Sequence, residues 1–283
     1  ISDIDECLFC KSGMPLLCAN KYKRKYTNVV YGGFSEYFVR NEFQIFKISP
    51  KVSDKAACLI EPASIAYKAA MAVNLIKGNR ILLIGSGVIS LISIKILRLL
   101  YGDKIIIHVI ARHEFQSKEA IIAGANKVYN HYSIDEISKD LKSNIIGSDD
   151  ASYLNIGYDR VIDYVGSAET TNQSLSVIKS RSTIVIVGFN NALVKVGFDH
   201  LIQREIRLIG IHGYDSSNEK NTKLAAFQKI IEYIEKDMLY LDDYVSNIFK
   251  IEDFKDGFKK AHSHFKIRDN SNQIKCFRVG LKF

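Results

Sequence analysis

Arg80-Ile81-Leu82-Leu83-Ile84 runs directly into Gly85-Ser86-Gly87 and then into the helical pattern Val88–Leu100. A short apolar strand that turns on two glycines into a helix fits few architectures, and the commonest is the first βα unit of a parallel α/β sheet. The rest of the central chain repeats that alternation. Apolar runs at Ile105–Ile110, Lys127–Tyr129, Arg160–Asp163, Thr183–Val187 and Ile206–Gly210 read as strands. Helical stretches fall between them at Phe115–Ala123, Ile134–Ser143 and Glu169–Ile178. Six strands in this order predict a doubly wound Rossmann sheet.

The flanks have another character. Val29–Pro50 is strand-like without helical periodicity, and Leu224–Asp237 reads as an amphipathic helix followed by mixed segments. A second, discontinuous lobe built from both ends of the chain is expected, with 1–63 and 214–283 on either side of a nucleotide-binding domain at 64–213. At 283 residues, with 47% hydrophobic and 25% charged residues, the chain can bury such cores without disulfides. Five cysteines, three of them at Cys7, Cys10 and Cys18, suggest metal spacing in a reducing compartment, and a cytoplasmic location is expected. The longest uncharged apolar stretch, Ile81–Ile94, is shorter than the roughly 20 residues a bilayer requires, so no membrane partner is expected.

The glycine turn carries chemistry. In Gly85-Ser86-Gly87-Val88-Ile89-Ser90 the first two glycines of a G-x-G-x-x-G turn are present and Ser90 takes the third place. The first glycine makes the tight turn, the second lets the backbone approach a pyrophosphate, and the third position must stay small where helix meets strand. Val88 begins the helix whose N-terminal N–H groups would face the phosphates. Past the second strand the order is Ala111-Arg112-His113, with alanine where an acidic ribose ligand is usual. A guanidinium there can clamp a 2′-phosphate, and Lys118, about one and a half turns on, can add a second cation. NADP is therefore expected over NAD, with NAD still admitted; the alternative is a solvated loop arginine.

These residues, with others along the chain, resemble the medium-chain, zinc-type alcohol and polyol dehydrogenases. Cys7-Leu8-Phe9-Cys10 and Cys18 resemble the structural zinc lobe, and Gly32-Gly33-Phe34-Ser35-Glu36-Tyr37 a Gly-Gly-Phe-Ala-Glu-Tyr strand. Glu61-Pro62-Ala63 is similar to the Glu-Pro-Leu motif, Gly124-Ala125-Asn126 to the Leu-Gly-Ala-Asp turn, and Val161-Ile162-Asp163-Tyr164-Val165-Gly166 to a Val-Ile-Asp-x-x-Gly segment. The resemblance implies a Rossmann domain with a mainly β, GroES-like catalytic lobe. It implies hydride transfer between an alcohol or carbonyl substrate and nicotinamide, with zinc polarising the oxygen, in a homo-oligomer. It also implies that Gly166 and Gly188 line the nicotinamide side and that Glu61 lies near the catalytic zinc, the alternative for Glu61 being a buried, paired carboxylate.

The sequence departs from the family in two places. The family's catalytic cysteine and Gly-His-Glu segment do not occur, since none of the seven histidines follows a glycine. The N-terminal part of the catalytic lobe is expected to lie outside this chain, which would leave it unable to hold the catalytic zinc. The structural zinc set has Ile4 where a cysteine is usual, so Cys7, Cys10 and Cys18 need Asp3 or Asp5 as fourth ligand, or the lobe is metal-free. Cys58 and Cys276 read as buried small hydrophobes.

Other readings are weaker. A short-chain dehydrogenase needs tyrosine four residues before lysine, and none of the fifteen tyrosines has it. A zinc-independent NADPH quinone or enone reductase, and an inactive NADP-binding remnant, are the alternatives within the superfamily. The basic run Lys21–Tyr26 is read as a solvated face and not a nucleic-acid surface, and His262 and His264 as surface residues.

Overall fold

The computed structural model describes residues 7–12, 14–20, 34, 35, 37, 45–148, 151–190, 193, 195–213, 225–266 and 277–282. The chain divides into two compact units, Ala66–Ile211 and Ile1–Ile65 with His212–Phe283. No helix among the described residues is long and apolar enough to cross a membrane.

In chain order the short helices α1 (Leu8–Lys11) and α2 (Asp54–Ala57) come first. Ser53 caps α2, accepting the Ala56 N–H at 3.0 Å and donating to Asp242 Oδ1 at 2.8 Å. Helix α3 (Ile60–Ala72) follows, and Pro62 is tolerated because its first turn has no intrahelical acceptor for that N–H. Ala66, Ala69 and Ala70 are fully buried along it.

The α/β unit then proceeds as β1 (Arg80–Ile84), α4 (Val88–Tyr101), β2 (Ile106–Ile110), α5 (Glu114–Ala123), β3 (Lys127–Tyr129) and α6 (Ile134–Leu141). After a small antiparallel pair, β4 (Ile145–Ile146) and β5 (Tyr153–Leu154), come β6 (Tyr158–Asp163), α7 (Ala168–Val177), β7 (Ile178–Ile186), α8 (Phe198–Gln203) and β8 (Arg207–Gly210). The six-stranded sheet is parallel throughout, in the order β3-β2-β1-β6-β7-β8. Ile81, Leu82, Leu83 and Ile84 of β1 are all buried, as a central strand covered on both faces requires. Chain order reverses between β1 and β6, so the crevice at their C-terminal ends is the place where open α/β sheets bind ligands.

The expected Rossmann sheet is present, with local corrections. The helix expected over Glu169–Ile178 ends at Val177, and Ile178 opens β7 by pairing with Tyr158. The helix expected to reach Ser143 stops at Leu141 because Lys142 turns left-handed at φ 52°.

The other unit contains α9 (Ala225–Glu235), β9 (Val245–Lys250), α10 (Phe254–Lys266) and β10 (Arg278–Lys282), with β9 and β10 paired in parallel and α10 packed against both. The strand-like reading of Val29–Pro50 lies largely outside the described residues, and Ile45–Ser49 is not strand. Lys21–Tyr26 and Cys276 also lie outside them.

Candidate functional site

The crevice between β1 and β6 is built by their glycines. Gly85 adopts φ +91°, and a Cβ there would stand 2.9 Å from Val165 Cγ2, so the turn excludes larger residues on two counts. Gly85 N–H donates to Ile110 O at 3.0 Å, and Tyr164 N–H donates to Ile84 O at 2.9 Å. The turn is thereby fixed to both neighbouring strands.

Gly87 is the N-cap of α4 and makes no side-chain cap bond. A Cβ on it would meet nothing within 4 Å. Gly87 is itself exposed, so no side chain covers the start of this 14-residue helix at that point. Val88 and Ser90 are both buried, Ser90 to 1% exposure, and the Ser90 hydroxyl has no hydrogen-bond partner among the described residues. An orphaned buried hydroxyl in the first turn, beside an uncapped helix end, fits a site that a polar group completes. Ser86 is also buried, and its hydroxyl donates to Gln116 O at 3.3 Å, joining the glycine turn to the first turn of α5.

At the end of β2, Ala111 is buried and Arg112 is exposed, with no ion pair or hydrogen bond to Arg112 among the described residues. Lys118 is not similarly available. Its ammonium lies 2.7 Å from Glu114 Oε1 across one turn of α5, and that contact holds the Glu114 carboxyl below its ordinary range.

The end of β6 is organised by a residue whose role the sequence left inside a motif. Asp163 is fully buried and accepts the N–H groups of Val165 and Gly166, each at 2.9 Å, on Oδ1. Its Oδ2 accepts the hydroxyls of Thr170 at 2.8 Å and Thr171 at 3.5 Å. Burial pushes this carboxyl up, and the four donors pull it partly back. Ser167 then starts α7 with a capping box closed by Thr170. Tyr164 donates to Ser93 of α4, which donates to Ala66 O at 3.1 Å, and burial raises the Tyr164 phenol.

Gly166 and Gly188 lie back to back. A Cβ on Gly166 would be 2.3 Å from Gly188 O, and one on Gly188 2.1 Å from the Val165 carbonyl carbon. Their smallness thus has a packing cause that applies with or without a ligand. Asp163 O accepts both Val187 N–H at 2.8 Å and Gly188 N–H at 3.1 Å, which ties β7 into the same turn.

The expected metal residues lie in the other unit. Glu61 stands in the first turn of α3 and is exposed, which corrects its reading as a buried, paired carboxylate. Partial loss of water raises its carboxyl, and the Arg278 guanidinium pulls it back. Cys7 is partly exposed and Cys18 is buried; the Cys10 side chain, Asp3, Ile4 and Asp5 lie outside the described residues. Among the described residues no three His, Cys, Asp or Glu side chains form a group able to hold a metal. Cys58, expected to be buried, is exposed at the C-cap of α2, where reduced hydration and Asp54 raise its thiol.

The zinc-binding dehydrogenase family model matches residues 88–229, half of the chain. D-arabinitol dehydrogenase 1 of Uromyces fabae is 23% identical over 295 residues, covering all of this chain and 74% of that protein. Sorbitol dehydrogenase of Halalkalibacterium halodurans is 24% identical over 208 residues, covering 72% of this chain and 57% of its own length. The crystal structure of L-idonate 5-dehydrogenase from Escherichia coli superposes with a TM-score of 0.77 at 18% identity, over 98% of this chain and 72% of that one. With its glycine turn at the β1–β6 reversal, the chain belongs to the zinc-binding dehydrogenases of the medium-chain alcohol and polyol dehydrogenase family.

Proposed function

We propose that the Ala66–Ile211 unit binds a nicotinamide dinucleotide, NADP in preference to NAD, for hydride exchange with a small alcohol, polyol or carbonyl compound. The observation that carries the reading is the open, uncapped N-terminus of α4 behind Gly85 and Gly87, with the unpartnered Ser90 hydroxyl in its first turn. The pyrophosphate would lie on those N–H groups, where the positive helix end favours it and no side chain competes. Arg112, exposed past β2, would take the 2′-phosphate.

Nicotinamide would lie toward the turn Tyr164-Val165-Gly166, which Asp163 holds rigid, with Gly188 behind it. A turn fixed by a buried carboxylate presents its backbone without reorganising when the dinucleotide arrives. In this family zinc supplies Lewis-acid polarisation of the substrate oxygen. The described residues alone do not fit a zinc site. Glu61 is kept as a proposed neighbour of a catalytic zinc, Cys7, Cys10 and Cys18 as the proposed ligands of a separate structural zinc, and the two ends of the chain as the proposed catalytic lobe.

The test is a parallel titration with NADPH and NADH that follows nicotinamide fluorescence, because the chain has no tryptophan to act as energy donor. Tighter NADPH is expected. Arg112→Ala should weaken NADPH by about 1–3 kcal/mol and leave NADH nearly unchanged. Equal losses for both would remove Arg112 from the 2′-phosphate.

A further inference from the structure

Lys118 and Glu114 form a pair that the cofactor reading leaves unexplained. Strand β2 ends at Ile110, Arg112 follows as an exposed cation, and His113 caps α5 without a side-chain bond. Glu114 is the first helical residue, and Lys118 lies one turn beyond it on the same face, 2.7 Å from Oε1. Both side chains are exposed, at 67% for Lys118 and 68% for Glu114, so neither is fixed by packing. The Ser86–Gln116 hydrogen bond holds this first turn beside the glycine turn.

We propose that Glu114 is a specificity residue of the nucleotide site: it occupies Lys118, withholds that cation from a 2′-phosphate at Arg112, and so moderates the preference for NADP. The proposal rests on the dinucleotide reading above. A 2′-phosphate arriving at Arg112 finds that lysine already engaged. NADH has no phosphate there and is indifferent to both groups. Exposed pairs of this spacing are weak, worth roughly a twofold change in an equilibrium, so a dianionic phosphate can compete for the lysine but gains less than it would from an unpaired one.

Glu114→Gln keeps the side chain's shape and helix propensity while removing its charge. It should tighten NADPH about twofold, the worth of the pair, and leave NADH unchanged, and the gain should fade as added salt screens exposed charges beyond ~8 Å. Adding Lys118→Met should cancel the gain. Direct fluorescence titration reads all of this without turnover. A Glu114→Gln protein whose affinities for NADPH and NADH stay put or move together overturns the proposal, as does a gain that survives Lys118→Met. A wild-type chain that is folded by circular dichroism and binds neither cofactor overturns the dinucleotide reading itself, and the proposal with it.

Discussion

Gly87 and Gly166 are both glycines of the crevice, yet their surroundings assign them different work. Gly87 has an ordinary φ of −80° and open space where a Cβ would stand. Gly166 has φ +69° and a carbonyl oxygen 2.3 Å from that point. Gly87→Ala should therefore fold, losing at most about 1 kcal/mol at the helix cap. The added methyl should still weaken NADPH and NADH together by roughly tenfold or more, because it stands where backbone and pyrophosphate meet. Gly166→Ala should instead lose about 2 kcal/mol or more of stability, since backbone and not a flexible side chain must give way. Urea midpoints and cofactor titrations on the two variants separate the roles. If Gly87→Ala bound both cofactors normally, the pyrophosphate would not lie there.

At the scale of elements, the far end of the sheet is held by Arg98. Its guanidinium donates to Gly124 O at 2.7 Å, to Gly102 O at 2.6 Å, to Ile105 O at 3.0 Å and to Asn126 Oδ1 at 2.5 Å. One side chain thus joins the C-terminal ends of α4 and α5 to the approach to β2. Arg98→Met should cost about 2–4 kcal/mol by leaving part-buried carbonyls unpaired, with cofactor affinities unchanged in the folded fraction.

A second cluster lies between strands and α6. His108 Nδ1 is 2.8 Å from Tyr158 Oη and 3.3 Å from Tyr129 Oη, and Tyr129 donates to Asp140 at 2.8 Å, where Lys127 also binds. Burial lowers the His108 pKa to about 4, with Asp140 opposing and Lys127 and Arg80 assisting. A histidine depressed in the folded state contributes stability above its unfolded pKa, and that contribution is lost as pH falls through the folded one. Urea midpoints should therefore drop between about pH 6.5 and pH 4, and His108→Gln should flatten that slope. An unchanged slope would place the acid sensitivity on other groups.

The same elements show what could be read in advance. Strand β1 and the start of α4 coincide with their apolar runs because a buried strand leaves little choice of residue, and the half-buried edge strand β3 also falls where it was read. The first half of β7 was hidden, since Lys179, Ser180 and Arg181 are exposed and polar, and Arg181 is left-handed at φ +62°. Two-residue strands such as β4 and β5 carry too few side chains for periodicity. The glycine turn was legible because backbone geometry selects its residues. The Asp163 donors, the Ser86–Gln116 bond and the Glu114–Lys118 pair were not, as each depends on where a side chain points.

On the scale of the whole molecule, ligand linkage is expected to act first on the compact unit that holds the glycine turn. The fully buried residues of β1, β6 and α4 belong to Ala66–Ile211, whereas α9 and α10 belong to the other unit. A dinucleotide bound at the glycine turn stabilises the unit that contains it, by about 2.7 kcal/mol when free NADPH is a hundred times its dissociation constant. Amide exchange should reveal where that energy acts. With NADPH, protection in β1, α4 and β6 should rise by roughly a hundredfold where exchange proceeds by opening of the unit, and α9 and α10 should keep their rates. A uniform rise in both units would mean that they open as one cooperative body. A rise confined to α9 and α10 would move the nucleotide away from the glycine turn, and the tight turn at Gly85 would then be explained by backbone geometry alone.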